Sequence, residues 1–215
     1  MLVIPQPDRI LARRQIGKYS HYIKGTVLDV GPGRPARFTD LFTFDKRISL
    51  DIDKNTNPDI VADVQNIPLK DESVDSIIVT GVLGDVEDPF RAMEEFHRVL
   101  KMGGTILITD NFMSHIHDEP NDFWRFTNFT FERLFKKANF EVIAIDRRGG
   151  FFSALAQLKI RYLIDKLDLY SRWWMHFLIP AIRLYCDLNF FLDKLDKSKS
   201  NKNYTLGWCA VAKKI

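Results

Sequence analysis

The sequence predicts an α/β fold: a doubly wound, mostly parallel seven-stranded sheet with a helical insertion before the last strand. Three observations predict it. Short β-rich apolar runs alternate with helical patterns from residue 26 to residue 146, and such alternation builds an open sheet covered on both faces. The first run, Thr26–Val30, leads straight into the glycine pair Gly31 and Gly33. After residue 151 the strands stop, the chain turns helical and aromatic, and one more strand-like run returns at Tyr204–Ala212.

The elements follow in order. Asp8 to about Tyr22 reads as a helix with Ile10, Leu11, Arg14 and Ile16 loosely periodic, ended by Gly25. Thr26–Val30 is apolar and bounded by glycine, as a central parallel strand should be. Residues 36–44 suit a short helix, Arg47–Ile52 a second strand and Ile60–Ala62 a weaker third. Asp75–Thr80 is the fourth strand. Asp88 as N-cap and Pro89 behind it start the next helix, whose apolar face is Ala92, Met93, Phe96, Val99 and Leu100. Gly103-Gly104 is expected to stop it. Thr105–Thr109 is the fifth strand. Thr127 or Thr130 caps a helix carrying Phe131, Leu134, Phe135 and Ala138, and Asn139 suits a left-handed cap. Phe140–Asp146 is the sixth strand, 151–195 is helical, and Lys197–Lys202 reads as a polar loop. The whole chain, 1–215, is one domain, with an N-terminal helical segment in 1–25 and a helical insertion or lid over 151–203.

Hydrophobic content of 46% and charge of 27% are those of a water-soluble globular protein. Met1–Pro5 is too short and too broken by Pro5 and Pro7 for a secretory signal. Cys186 and Cys209 lack metal-ligand spacing and suggest a reducing compartment, so a cytoplasmic location is expected. Charge is uneven: five Lys/Arg against one acid over 1–25, 15 against 22 over 26–150, and 11 against five over 151–215. An acidic body with basic flanks argues against nucleic acid as a partner. The basic flanks either solvate helix faces or lie near an anionic surface such as lipid headgroups.

Glycine is needed where φ is positive or where a ligand packs on the backbone. Gly31 and Gly33 are followed by Asp51 at the end of the second strand, where a carboxylate can accept hydrogen bonds from ribose hydroxyls; Asp53 is the near alternative. Asp63, after the third strand, is placed for an adenine amino group. These residues fit either a dinucleotide or an adenosyl cofactor. Ala36 in place of the helix-packing glycine, Asp63, and the returning last strand favour the adenosyl reading.

VLDVGPG, SLDID, VADVQNIP, DSIIVTGVL, DPFRAMEEFHRVLKMGGTILIT and KKANFEVIAI occur in this order. Together they resemble class I S-adenosylmethionine-dependent methyltransferases over about residues 25–147. The resemblance implies a seven-stranded sheet with an antiparallel last strand and S-adenosylmethionine as cofactor. It implies Gly31 and Gly33 against the methionine part, Asp51 on the ribose, Asp63 and the Val64 backbone at the adenine, and Asp29 organising the loop. Pro32, Ile52 and Thr80 join that cofactor set. The chain departs from the family's pattern at Pro35, where a third loop glycine is usual, at Lys101-Met102, and at Leu83-Gly84-Asp85, where many relatives carry Leu-Glu-His.

His117-Asp-Glu-Pro-Asn-Asp-Phe-Trp-Arg-Phe-Thr127 follows the fifth strand, on the edge that lines the ligand crevice of such folds. It resembles a motif of a branch of these enzymes associated with cell-envelope or glycan-type substrates. His117 is the candidate general base for a hydroxyl acceptor, with His115 second. Asp122, Trp124 and Arg125 are the candidate substrate-binding residues. The alternative is that His117 and Arg125 only pin the loop, through Asp122 or Glu119. His115-x-His117 has no further ligand cluster in the sequence, so no metal is expected.

Residues 173–192 are the most apolar stretch, interrupted by Pro180, Arg183 and Asp187, and too broken to span a bilayer. They read as a lid, a dimer surface, a packed core layer, or an interfacial segment touching the inner face of a membrane through 151–195. The expected activity is methyl transfer to an oxygen of a small or lipid-linked acceptor. An NAD(P)-dependent oxidoreductase and a non-catalytic adenosyl-binding scaffold are the alternatives.

Overall fold

A computed structural model describes residues 4–33, 36 and 38–215. Its sheet has seven strands in the order β3-β2-β1-β4-β5-β7-β6. These are β1 (Thr26–Val30), β2 (Lys46–Asp51), β3 (Ile60–Val61), β4 (Val74–Thr80), β5 (Leu100–Asn111), β6 (Phe140–Arg147) and β7 (Gly207–Lys214). The first five pair in parallel, and β7 lies antiparallel between β5 and β6.

The period of two in the central strands explains the layers. Leu28, Val30, Ile77, Val79, Ile106 and Ile108 point to one face, where Met93 and Phe96 of α2 (Pro89–Val99) and Phe131 and Phe135 of α3 (Asn128–Lys137) cover them. Val27, Ile78, Leu107 and Val211 point to the other, under Ile16 and Tyr19 of α1 (Pro7–Tyr19). All ten of these strand residues are buried, and each full burial of such a side chain is worth about 1.5–3 kcal/mol.

Helix α2 begins as expected: Asp88 accepts from the N–H groups of Phe90 (3.0 Å) and Arg91 (3.1 Å), a cap worth about 1 kcal/mol. Its end differs. The helix stops at Val99, and Leu100 is already a buried strand residue paired with Val74. Gly103 and Gly104 therefore lie inside β5, at the irregularity where the β4–β5 register shifts. A Cβ on Gly104 would come within 2.9 Å of the Asp75 carbonyl oxygen, so the glycine is there for close strand approach and not to stop a helix. Thr127, and not Thr130, caps α3, and Asn139 is left-handed with φ 57°. The helix expected over 36–44 falls partly outside the described residues; its described part holds one short turn of 3-10 helix at Thr39–Leu41.

The insertion consists of α4 (Phe151–Lys166), α5 (Met175–Leu195) and α6 (Lys199–Lys202). The polar loop expected at 197–202 is thus a short helix, capped by Ser198 and holding Asn201 fully buried. Gly150 has no side chain with which to cap α4. Asp193 of α5 does it instead, accepting from the N–H groups of Gly150 (2.9 Å), Phe152 (3.0 Å) and Ser153 (3.1 Å), while Asn201 accepts from Phe151 (2.7 Å). Buried Arg148 ties the insertion's root to the sheet and to α1, binding Asp8 (2.6 Å), Gln15 (3.2 Å), Asn111 (3.2 Å) and Thr109. Among the described residues, no helix is long and apolar enough to cross a membrane.

Candidate active site

The carboxyl ends of β1, β2 and β4 enclose a cleft of about 390 Å3. Gly31, Asp51, Ile52, Asp63 and Val64 border one side of it. Gly31 has φ 60°, and a Cβ there would land in the Val82 side chain, so the bend is bare main chain by necessity. Its N–H donates to the Leu50 carbonyl at 2.8 Å, which sets the bend against β2. Asp51 accepts from the Asp53 N–H at 3.0 Å. Asp63 accepts from the Gln65 N–H at 2.8 Å and from its side-chain amide at 3.0 and 3.2 Å, while Gln65 accepts from the Asp88 N–H at 3.1 Å. Gln65 therefore couples Asp63 to the start of α2. Ile52, 72% exposed, leaves an apolar side chain in water at the cleft's edge.

Four of the expected cofactor residues lie behind this lining. Asp29 is buried and holds Arg47 Nε at 2.7 Å; burial raises its pKa and Arg47 opposes the rise. Thr80 is buried in the β4–β5 ladder opposite Thr109. Pro32 and Gly33 continue the bend beyond Gly31, outside the cleft's border. Pro35 lies outside the described residues.

The other side of the cleft comes from Asp85, Asp118, Asn121 and Phe123. Here the loop after β5 packs on the short turn after β4. Gly84 is the joint. Its N–H donates to Asp110 at 2.9 Å, and its carbonyl accepts from both Phe123 and Trp124 at 2.9 Å. A Cβ at 84 would sit 3.2 Å from the Trp124 carbonyl and 3.3 Å from Asp110, tighter than most side chains tolerate. The departure at Leu83-Gly84-Asp85 thus has a packing cause. Asp110 is fully enclosed, and burial pushes it up to about 6 despite the N–H groups of Asn111 and Gly84.

Within the loop, Arg125 grips both oxygens of Asp122. The guanidinium, with the His117 N–H at 3.1 Å, holds Asp122 well below the usual carboxylate range. Asp122 in turn fixes the His117 ring, with Oδ2 at 3.1 Å from Nδ1. Nδ1 is then the protonated nitrogen, which leaves the lone pair on Nε2. Nε2 lies 3.9 Å from Asp85 Oδ1, an oxygen that is buried and has no hydrogen-bond partner among the described residues. Burial pushes Asp85 up to about 6, with Asp118 and Asp122 adding to the rise and His117 opposing it. Sequence reasoning missed Asp85 as a site residue; its place directly after the fourth strand was the available signal. Trp124 is partly exposed, but its indole N–H donates to the Val86 carbonyl at 2.9 Å and its ring stacks on Phe126, so it braces the loop.

Asp85, His117 and Asp122 also bring three potential metal-ligand atoms within 4.8 Å of one another. Arg125 already occupies both oxygens of Asp122, and a cation would have to displace it.

The strand order, with antiparallel β7 and a glycine bend at the sheet's centre, defines a Rossmann-like class that binds an adenosyl group at the carboxyl edge. A family model described as a methyltransferase domain matches residues 28–108. A protein of Methanocaldococcus jannaschii described as uncharacterized is 32% identical over 164 residues, covering 69% of this chain and 75% of its own. Among solved structures, a SAM-dependent methyltransferase from Archaeoglobus fulgidus matches at a TM-score of 0.60 and 16% identity, over 96% of this chain and 94% of its own. The [4+2]-cyclase SpnF matches at 0.60 and 17%, over 96% and 81%. The chain belongs to the class I S-adenosylmethionine-dependent methyltransferases, and its cofactor is S-adenosylmethionine. The Gly31 bend, which no side chain could share, fits that cofactor.

Proposed function

We propose that this methyltransferase methylates a hydroxyl oxygen of a small or lipid-linked acceptor, with His117 as general base. One observation carries the reading: His117, oriented by Asp122, presents its free Nε2 toward Asp85 on the cleft wall. Bound S-adenosylmethionine supplies an electrophilic methyl group; the chain's part is to hold the acceptor in line, exclude water and take the hydroxyl proton at Nε2. Gly31, Asp51, Ile52, Asp63 and Val64 hold the cofactor. Asp29, Pro32, Gly33 and Thr80 support that contact from behind. Asp122 and Arg125 position the base, and Trp124 braces the acceptor loop.

The lipid-linked part of the reading rests on the insertion. Trp173 and Phe177 are 74% and 75% exposed, Leu184 is 71% exposed, and Arg172 and Arg183 flank them. Apolar side chains edged by cations suit an anionic lipid surface. This exposure supports peripheral contact at the inner face of a membrane.

Three measurements test the reading. Isotope-labelled S-adenosylmethionine should leave its methyl group on an acceptor oxygen, identified by mass spectrometry; label on nitrogen or carbon overturns the oxygen assignment. Asp51→Ala should weaken S-adenosylhomocysteine binding by about 1–3 kcal/mol in calorimetry, and unchanged affinity removes Asp51 from the cofactor set. Flotation with anionic liposomes at low salt reads the membrane contact, and no binding rejects it.

A further inference from the structure

The loop after β5 and the flank of α4 enclose a second cavity, of about 480 Å3, within the range of ordinary small-molecule sites. It adjoins the methyl-transfer corner. His115 lines it, the His115 and His117 rings are 5.9 Å apart, and His117 faces Asp85 on the cofactor cleft. Its walls are largely apolar, from Met113, Leu158 and the Tyr162 ring.

Leu158 and Tyr162 are also 43% and 60% exposed, and they continue along α4 into exposed Leu163 and, just past the helix end, Leu167. The cavity therefore opens onto the apolar outer face of the insertion. Its charges are few and of one net sign. Arg161 pairs with Asp165 at 2.8 Å, while among the described residues Lys166 meets only the Tyr162 hydroxyl, at 3.0 Å. Burial lowers the pKa of His115, with Arg161 adding to the fall, so this ring is neutral near pH 7. Two cations against one carboxylate leave an excess positive charge at the cavity. The corner at Asp85, by contrast, is crowded by Glu87 and Asp118.

We infer that this cavity is the acceptor's chain site, taking an amphiphile with one apolar chain and one anionic group. The inference rests on the preceding reading of the acceptor as lipid-like. The chain lies along Met113, Leu158 and Tyr162, and the anion sits by Lys166 and Arg161. The opposite charge of the Asp85 corner repels that anion and leaves the corner to a neutral hydroxyl. The two ends of the site thus orient the acceptor before any chemistry occurs.

Decyl phosphate is the probe, titrated below its micelle concentration into the full chain saturated with S-adenosylhomocysteine. Saturable binding is expected. Leu158→Trp, which fills the cavity from a half-exposed position, should weaken it by roughly tenfold or more, with S-adenosylhomocysteine affinity within about twofold of the parent. Replacing Arg161 and Lys166 together by Gln should weaken decyl phosphate more than decanol, and inorganic phosphate should bind far more weakly than decyl phosphate. Ser114→Phe fills the cavity from its other wall and should reproduce the Leu158→Trp result. No saturable binding of decyl phosphate, or binding untouched by both filling variants, overturns the inference. Failure of the unmodified chain to bind S-adenosylhomocysteine would instead overturn the methyl-transfer reading and leave the decyl phosphate result standing.

Discussion

Across the cleft from Gly31, Asp51 and Asp63, the residues His117, Asp122 and Arg125 hold one another beside Asp85. On the first side the ligand-facing surface is main chain at a bend plus two carboxylates on separate strand ends, each occupied mainly by its own local turn. On the second side three groups form a relay that ends on an unsatisfied acid: Arg125 sets Asp122, Asp122 sets His117, and His117 faces Asp85, whose buried oxygen has no hydrogen-bond partner among the described residues. The difference fits the roles proposed for the two sides. An invariant ligand can be met by fixed backbone shape. A proton-transfer site needs a base whose tautomer is chosen for it, and only neighbouring side chains can choose it.

Separating the two sides by mutation is the sharpest test. His117→Ala should lower turnover by about 100-fold or more while S-adenosylhomocysteine affinity stays put in calorimetry. A fall of less than threefold in rate would break the contrast by removing the base. Gly31→Val should do the reverse, because a β-branched residue at φ 60° is strained and also collides with Val82. Cofactor affinity should drop by about 100-fold, with circular dichroism unchanged.

A smaller effect separates the sides by pH. Asp85 has a folded-state pKa of about 6, above its unfolded value of about 3.9. The folded chain therefore binds more protons than the unfolded one between those values, and this residue's contribution to stability falls as pH rises from about 4 to about 6. Asp85→Asn removes the penalty. Urea denaturation should show the variant gaining about 1 kcal/mol on the parent between pH 4.5 and 7.5, after allowance for solvent around the partly exposed group. Equal differences at both pH values would mean that Asp85 is not held in a desolvated state. Smallest of all, Leu184→Ser on the exposed face of α5 should change folding stability by no more than about 0.5 kcal/mol. A larger loss in the same denaturation experiment would show that this face is part of the packed body.

The Gly31 side was the more legible in sequence for the same reason. A glycine after an apolar strand, an acid at the next strand end and a proline behind an N-cap aspartate are local signals, and β1, Asp51 and the start of α2 lie where those signals put them. Asp85 was hidden because its raised pKa depends on burial by residues 118–125, more than 30 positions away. The end of α2 was misplaced because burial of Leu100 against β4 outweighs the local stop signal at Gly103. The cap of α4 was unreadable in principle, since Asp193 and Asn201 arrive from 40 or more residues downstream.

Strand β7 has an implication for how the molecule is made. Among the described residues it is the sole partner of β6 in the sheet, and it seals the outer edge of β5 as well. While a ribosome is still adding residues 207–214, β6 has nothing to bond to, and the apolar flank of β5 stays open to any other strand that passes. Assembly of this half of the molecule is consequently a late, long-range event, the kind of step at which growing chains are most prone to stick to one another.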